Sequence, residues 1–235
     1  MTAAANPTTA SSAAFAGRTV GEIAATLPGA TAVFRRFNLD FCCGGAVLLD
    51  EAARNSGVDL AAIDRALAEL GDAEGSQPPR ETGALLDHIL ARFHETHRRE
   101  LPELLDLARK VERVHADHPQ APRGLAEELR RLGLELESHM QKEELVLFPL
   151  MRECDGMAPP MIRHPIAQMR HEHDEHGRHL AALRSLTHDL TLPAGACRSW
   201  QALYAGLGKF IDDLMEHVHL ENNLLFPRFA PGVRD

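Results

Sequence analysis

Apolar residues recur along this chain at helical spacing, and short proline- and glycine-rich breaks interrupt them. From Glu81 onward the pattern predicts four long helices. The first covers 82–115, with Leu86, Leu90, Phe93, Leu101, Leu104 and Val111 on one stripe. The others cover 124–153, 162–189 and 198–226. Breaks at 119–122, 156–160 and 192–195 separate them. Pro102 falls inside the first helix and predicts a bend, because proline removes a backbone donor and crowds the preceding turn. Four helices with short connections predict an antiparallel up-and-down bundle over 81–230.

The region before the bundle reads differently. Residues 17–72 predict a small helical module. Thr19 and Glu22 have the spacing of a capping box, Pro28-Gly29 breaks a helix, and Asp59 can cap another running to Leu70. Phe41-Cys42-Cys43-Gly44-Gly45 lies between these helices. Residues 73–80 read as a linker and 1–16, rich in Ala, Ser and Thr, as a disordered tail. The fold class is therefore all-α.

Composition narrows the function. Aromatics make up only 5% of the chain, so helix is favoured over sheet. A formal net charge of -9 disfavours nucleic acid as a partner. No run of 18 apolar residues predicts a membrane helix. The tail lacks the basic start and apolar core of a secretory signal. A cytoplasmic protein with four reduced cysteines is the resulting expectation.

All 14 histidines fall between His88 and His219, which points to metal in the bundle and not in the module. Two segments share one pattern: His139-Met-Gln-Lys-Glu143 and His217-Val-His-Leu-Glu221 each run on to Leu-Phe-Pro, at an offset of 217 − 139 = 78. His and Glu four residues apart share a helix face. Two such pairs, plus one His from each of the other two helices, make four imidazoles and two carboxylates. Carboxylates can bridge, so this set can hold two metals; Fe, Mn and Zn suit the donors. On the first helix the spacing does not choose between His94 and His97. On the third it does not choose between His173 and His176. His171 and His219 flank the site. His88, His115, His118, His164, His179 and His188 read as surface or incidental positions, and Cys154 and Cys197 as ordinary buried thiols.

Several motifs resemble the RIC (repair of iron centres) family of di-iron proteins with a hemerythrin-like domain. They are Asp40-Phe-Cys-Cys-Gly-Gly45, Arg92-Phe-His-Glu-Thr-His-Arg98, Lys110–Asp117, Ser138-His-Met-Gln-Lys-Glu-Glu144, Glu172-His-Asp-Glu175 and Leu220-Glu-Asn-Asn223. The resemblance spans about 17–230. It implies His94, His139, Glu143, His173, His217 and Glu221 as ligands to two non-haem irons bridged by carboxylates. It also implies roles near the iron pocket for Glu135 and Glu172, in relaying protons or guiding iron. The partners it implies are damaged iron-sulfur proteins and nitric oxide, and a homodimer is allowed but not required. The implied activity is repair of iron-sulfur clusters under nitrosative or oxidative stress by supplying iron. Nitric oxide binding, or its reduction to nitrous oxide, is the alternative. An oxygen carrier would use more histidine around the irons. Cys42 and Cys43 read as a redox or metal-handling thiol pair that the two glycines expose, or else as two small residues packed under the module.

Overall fold

The computed structural model describes residues 14–70, 77–154 and 160–230. The predicted tail (but for 14–16), the start of the linker and most of the 156–160 break lie outside these residues. The chain divides into two compact units, Met1–Ser76 and Gln77–Asp235. Among the described residues every regular element is helical.

The first unit holds α1 (Val20–Thr26), α2 (Ala30–Arg36), α3 (Leu49–Ser56) and α4 (Leu60–Ala68). Thr19 caps α1 by accepting the Glu22 amide at 3.2 Å. The capping box is only half made, because the Glu22 carboxylate pairs with Arg18 at 3.2 Å. Asp59 caps α4 through the Ala61 amide at 3.1 Å. Asn38, in the left-handed region at φ 54°, ends the turn after α2. The chain before α1 is tied to the helices: Phe15 N–H donates to Asp64 at 3.0 Å. Phe34, Phe41, Leu49 and Ile63 are fully buried and form the core.

The second unit is an antiparallel four-helix bundle. Helix α5 spans 82–114, α6 spans 125–153, α7 spans 160–186 and α8 spans 198–229. Helix α5 packs on α6 and α8, and α6 packs on α7. Glu81 caps α5 through the Ala84 amide at 3.0 Å. The helix continues through Pro102 to Val114. Helix α7 ends at Leu186, three residues before its predicted end. There Thr187 donates its hydroxyl to Leu183 O and accepts the Leu190 amide. His188, Asp189 and Leu190 then turn through left-handed backbone. Gly206 allows α8 to approach α5 closely, since a Cβ there would lie 2.8 Å from Leu104 Cδ2.

Three of the four helices contain a π-helical stretch. A π-helical stretch runs over Leu90–His94 in α5, Glu143–Leu147 in α6 and Leu220–Leu225 in α8. A π turn widens the helix by one residue and re-aims the side chains around it. An apolar cluster including Leu86, Phe93, Phe148, Met151, Leu225 and Phe226 packs beside these stretches. Leu207, fully buried in the middle of α8, tests the packing of the bundle. Leu207→Ala is expected to cost about 2–5 kcal/mol, read as a lower denaturation midpoint with an unchanged slope.

Candidate metal centre

The bundle brings the six residues singled out by the repeat and the resemblance into one buried centre. His94, Glu143, His217 and Glu221 form one group, and His139, Glu143, His173 and Glu221 form another. Within each group the candidate ligand atoms lie within 4.8 Å of one another. Glu143 and Glu221 belong to both groups. One of His94 and His173 comes from each of α5 and α7, whereas α6 and α8 each give a His/Glu pair.

The distances define two halves. In the first, His94 Nε2 lies 3.2 Å from His217 Nε2, and His217 Nε2 lies 2.8 Å from Glu221 Oε1. In the second, His173 Nε2 lies 3.1 Å from His139 Nε2 and 2.9 Å from Glu221 Oε2. Glu143 Oε2 sits between them, 3.4 Å from His94 Nε2 and 3.5 Å from His139 Nε2. All six side chains are buried.

The donor set fits cations. Both Glu143 oxygens are buried and accept no hydrogen bond. Burial, and then the charge of Glu221, push the Glu143 carboxyl well above the usual carboxylate range. An unpaired buried carboxylate is costly, and two side by side more so. A pair of divalent cations between four imidazoles and two shared carboxylates would remove that cost.

The outer ring nitrogens are held in turn. His94 Nδ1 lies 2.7 Å from Glu144 Oε1, and Arg98 grips Glu144 at 2.7 and 3.1 Å. His173 Nδ1 lies 2.9 Å from Asn222 Oδ1. His139 Nδ1 lies 3.0 Å from Glu172 Oε2, while Lys142 and Gln168 hold the other Glu172 oxygen. These partners fix tautomer and ring orientation. His217 differs: its Nδ1 has no partner, and its ring stacks on Phe93 with centroids 5.4 Å apart.

Glu144 and Asn222 occupy equivalent places in the repeat, as 222 − 144 = 78. Both stand in motifs that carry the resemblance and directly follow a ligand candidate, but the sequence assigned neither a role. Glu135 stands farther out, 2.9 Å from His179 Nε2. His179 also lies 2.6 Å from Glu128. That corrects its reading as a surface position, since its side chain is largely buried between two carboxylates; it belongs to neither candidate group. Glu135, Glu172, Glu175 and His176 line a cavity of about 300 Å³.

His97 and His176 both lie inside the bundle but outside the two groups. Burial pushes His97 well below its ordinary range and His176 down to about 2, so both rings are neutral. His171 is exposed, beside Glu175. His219 is buried and pairs with Asn223 at 2.9 Å. Cys154 and Cys197 are half-buried, less enclosed than expected, and Cys197 Sγ lies 3.1 Å from His115 Nε2.

In the first unit, Asp40, Cys42 and Cys43 stand together. A hydrogen bond to Cys43, and then burial, hold the Cys42 thiol well above its ordinary range.

A helical bundle with paired, buried His/Glu groups is the arrangement of a hemerythrin-like cation-binding protein. The model of the Hemerythrin HHE cation binding domain matches residues 85–229, and a Domain of Unknown function, DUF542, matches 16–71. Iron-sulfur cluster repair protein YtfE of Musicola paradisiaca is 49% identical over 222 residues, 92% of this chain and 97% of that relative. Its namesake in Dickeya chrysanthemi is 47% identical over 218 residues, 92% of this chain and 97% of that relative. A probable iron-sulfur cluster repair protein of Haemophilus influenzae is 45% identical over 219 residues, 91% and 97% of the two chains. The chain belongs to this family, the RIC proteins. No described helix is long and apolar enough to cross a membrane.

The hydrogen bond from His94 to Glu144 generates a test. Glu144→Ala is expected to lower the centre's affinity for divalent cations about 10- to 100-fold, measured by competition with a chelator. Glu137→Ala, which removes only a surface partner of Arg98 and Gln141, is expected to leave the affinity unchanged.

Proposed function

We propose that this chain is a di-iron protein that repairs damaged iron-sulfur clusters by donating iron. The observation that carries the reading is the pair of buried carboxylates, Glu143 and Glu221, shared by two histidine pairs. His94 and His217 would hold one iron, His139 and His173 the other, and the two carboxylates would bridge them. The names of the relatives support the choice of iron and of cluster repair. The irons here are cargo as well as ligand-bound ions.

The residues around them have separable tasks. The apolar cluster of Phe93, Phe148 and Phe226 keeps water from the inner ring nitrogens. Glu144, Asn222 and Glu172 set the direction of three of the four imidazoles. Glu172 and Glu135 line the cavity beside His139, where a cation or a proton can be received.

Nitric oxide binding or reduction at the same centre is the second reading. It is favoured by the sparseness of the ligand set: two imidazoles and a share of two carboxylates leave room on each metal for a small molecule. When bound, a pair of ferrous irons supplies two electrons, the number needed to couple two nitric oxide molecules to nitrous oxide.

The two readings separate in one defined mixture. The iron-loaded protein is expected to restore activity to a [4Fe-4S] dehydratase damaged by nitric oxide, with no other iron source present. Equal restoration by metal-free protein would defeat iron donation. Sustained nitrous oxide formation with a reductant, without restoration, would establish the second reading. For the site itself, Glu143→Leu and Glu221→Leu are each expected to abolish binding of the iron pair, read by iron quantitation and Mössbauer spectra. If both variants kept two irons per chain, the bridging assignment would be wrong.

A further inference from the structure

The Asp40-Phe-Cys-Cys-Gly-Gly45 turn carries a second cluster of metal-ligating atoms, independent of the bundle. Its backbone is pinned on both sides. Gly45 O accepts the Gly21 amide at 2.8 Å, and Val47 O accepts the Val20 amide at 2.9 Å. The Leu39 amide bonds Phe34 O at 2.9 Å, so the turn leaves α2 in a fixed direction. The Asp40 carboxylate is oriented too. Its Oδ1 accepts the amides of Cys42 at 3.1 Å and Cys43 at 2.9 Å. Gly44 leaves room for this, since a Cβ there would lie 3.1 Å from Asp40 O and 3.2 Å from Oδ2.

The spacing of the donor atoms matches a metal. Cys42 Sγ lies 3.8 Å from Cys43 Sγ and 3.3 Å from Asp40 Oδ1. Metal–sulfur bonds of about 2.3 Å at the tetrahedral angle place two thiolates about 3.8 Å apart. A carboxylate oxygen at about 2.1 Å from the same ion would stand about 3.6 Å from each sulfur. All three donors lie within 4.8 Å of one another. They also differ in exposure: Cys42 is buried, Cys43 half-buried and Asp40 exposed. The open side leaves a fourth position to solvent or to an incoming ligand.

We propose that Asp40, Cys42 and Cys43 form a separate site for one thiophilic divalent cation, of the zinc and ferrous iron kind. Binding replaces two S–H bonds with two metal–sulfur bonds and releases two protons to solvent, and no electrons move. Two thiolates and a carboxylate carry three negative charges, which a divalent ion offsets in large part. Thiolate donors select such ions over magnesium or calcium.

Cobalt(II) is the probe, added to the full chain under anaerobic, reducing conditions. A saturable sulfur-to-cobalt charge-transfer band is expected at one ion per chain, with protons released on binding. The bundle's imidazoles and carboxylates cannot give that band, so failure here leaves the di-iron reading untouched. The double variant C42S/C43S is expected to lose the band while keeping its helical circular dichroism and its iron. Cys43→Ser alone, at a half-buried position, guards against a folding defect and is expected to weaken binding. Asp40→Asn is expected to weaken it by at least the roughly tenfold that loss of an outer-shell partner costs. Cys197→Ser removes the thiol that stands beside His115, and is expected to change nothing. No band in the parent chain, or a band that survives C42S/C43S, would overturn the proposal.

Discussion

Glu143 and Glu221 are two carboxylates with no access to water, placed side by side in the middle of an apolar bundle. Desolvating one such group is expensive, and their mutual repulsion adds to it. The surrounding residues answer this charge. Four imidazoles point their Nε2 atoms at it from four different helices. Each carboxylate shares a helix turn with one of those imidazoles, so a single register fixes both. Rotating one helix of the bundle would break this convergence, so the register that buries the apolar stripes is also the one that assembles the candidate centre.

The two halves of the centre are alike but not equal. His94 and His173 occupy equivalent places, and each has a phenylalanine from the repeat beside it: Phe148 at 5.8 Å and Phe226 at 5.9 Å between ring centroids. Their outer nitrogens, however, meet a carboxylate, Glu144, in one half and an amide, Asn222, in the other. His139 is held by Glu172. The equivalent of Glu172, one residue ahead of the paired histidine on α5, is Phe93, so His217 has an aromatic face where His139 has a charge. Hydrogen bonds from carboxylates raise the basicity of ligating imidazoles. Inequality of this kind would give two metal positions of the same composition different strengths.

Much of this could be read from the chain before its structure was known, and the limits have physical causes. The His/Glu repeat was legible because a shared helix face requires spacing of four residues. The caps at Thr19 and Asp59 were legible because few residue types can accept a terminal amide. The choice of His94 over His97 was not, since three residues apart on a helix is a small rotation that only packing against neighbours resolves. The π stretches left no mark in composition: Leu90–His94, Glu143–Leu147 and Leu220–Leu225 contain ordinary helix formers. They alter which residue after a ligand turns inward, which is why Glu144 and Asn222, though present in the motifs of the resemblance, were given no role. The burial of His179 was not legible because its partners, Glu128 and Glu135, lie on another helix.

Burial of the candidate ligands and the proposed donation of iron pull in opposite directions. A centre sealed on every side would hold its cations too long to serve as a source. The outer partners relieve this conflict. In the first half, His94 is one hydrogen bond from Glu144, whose side chain is 26% exposed; in the second, His139 is one hydrogen bond from Glu172, whose side chain is 15% exposed. Each half of the centre thus has a carboxylate standing between a buried ring and the surface. Both carboxylates are in turn held by cations that water can reach, Arg98 on one side and Lys142 on the other. Such ion pairs are weak and easily exchanged. The inner centre can therefore be tightly built while its two gates are held by contacts that an incoming acceptor could displace.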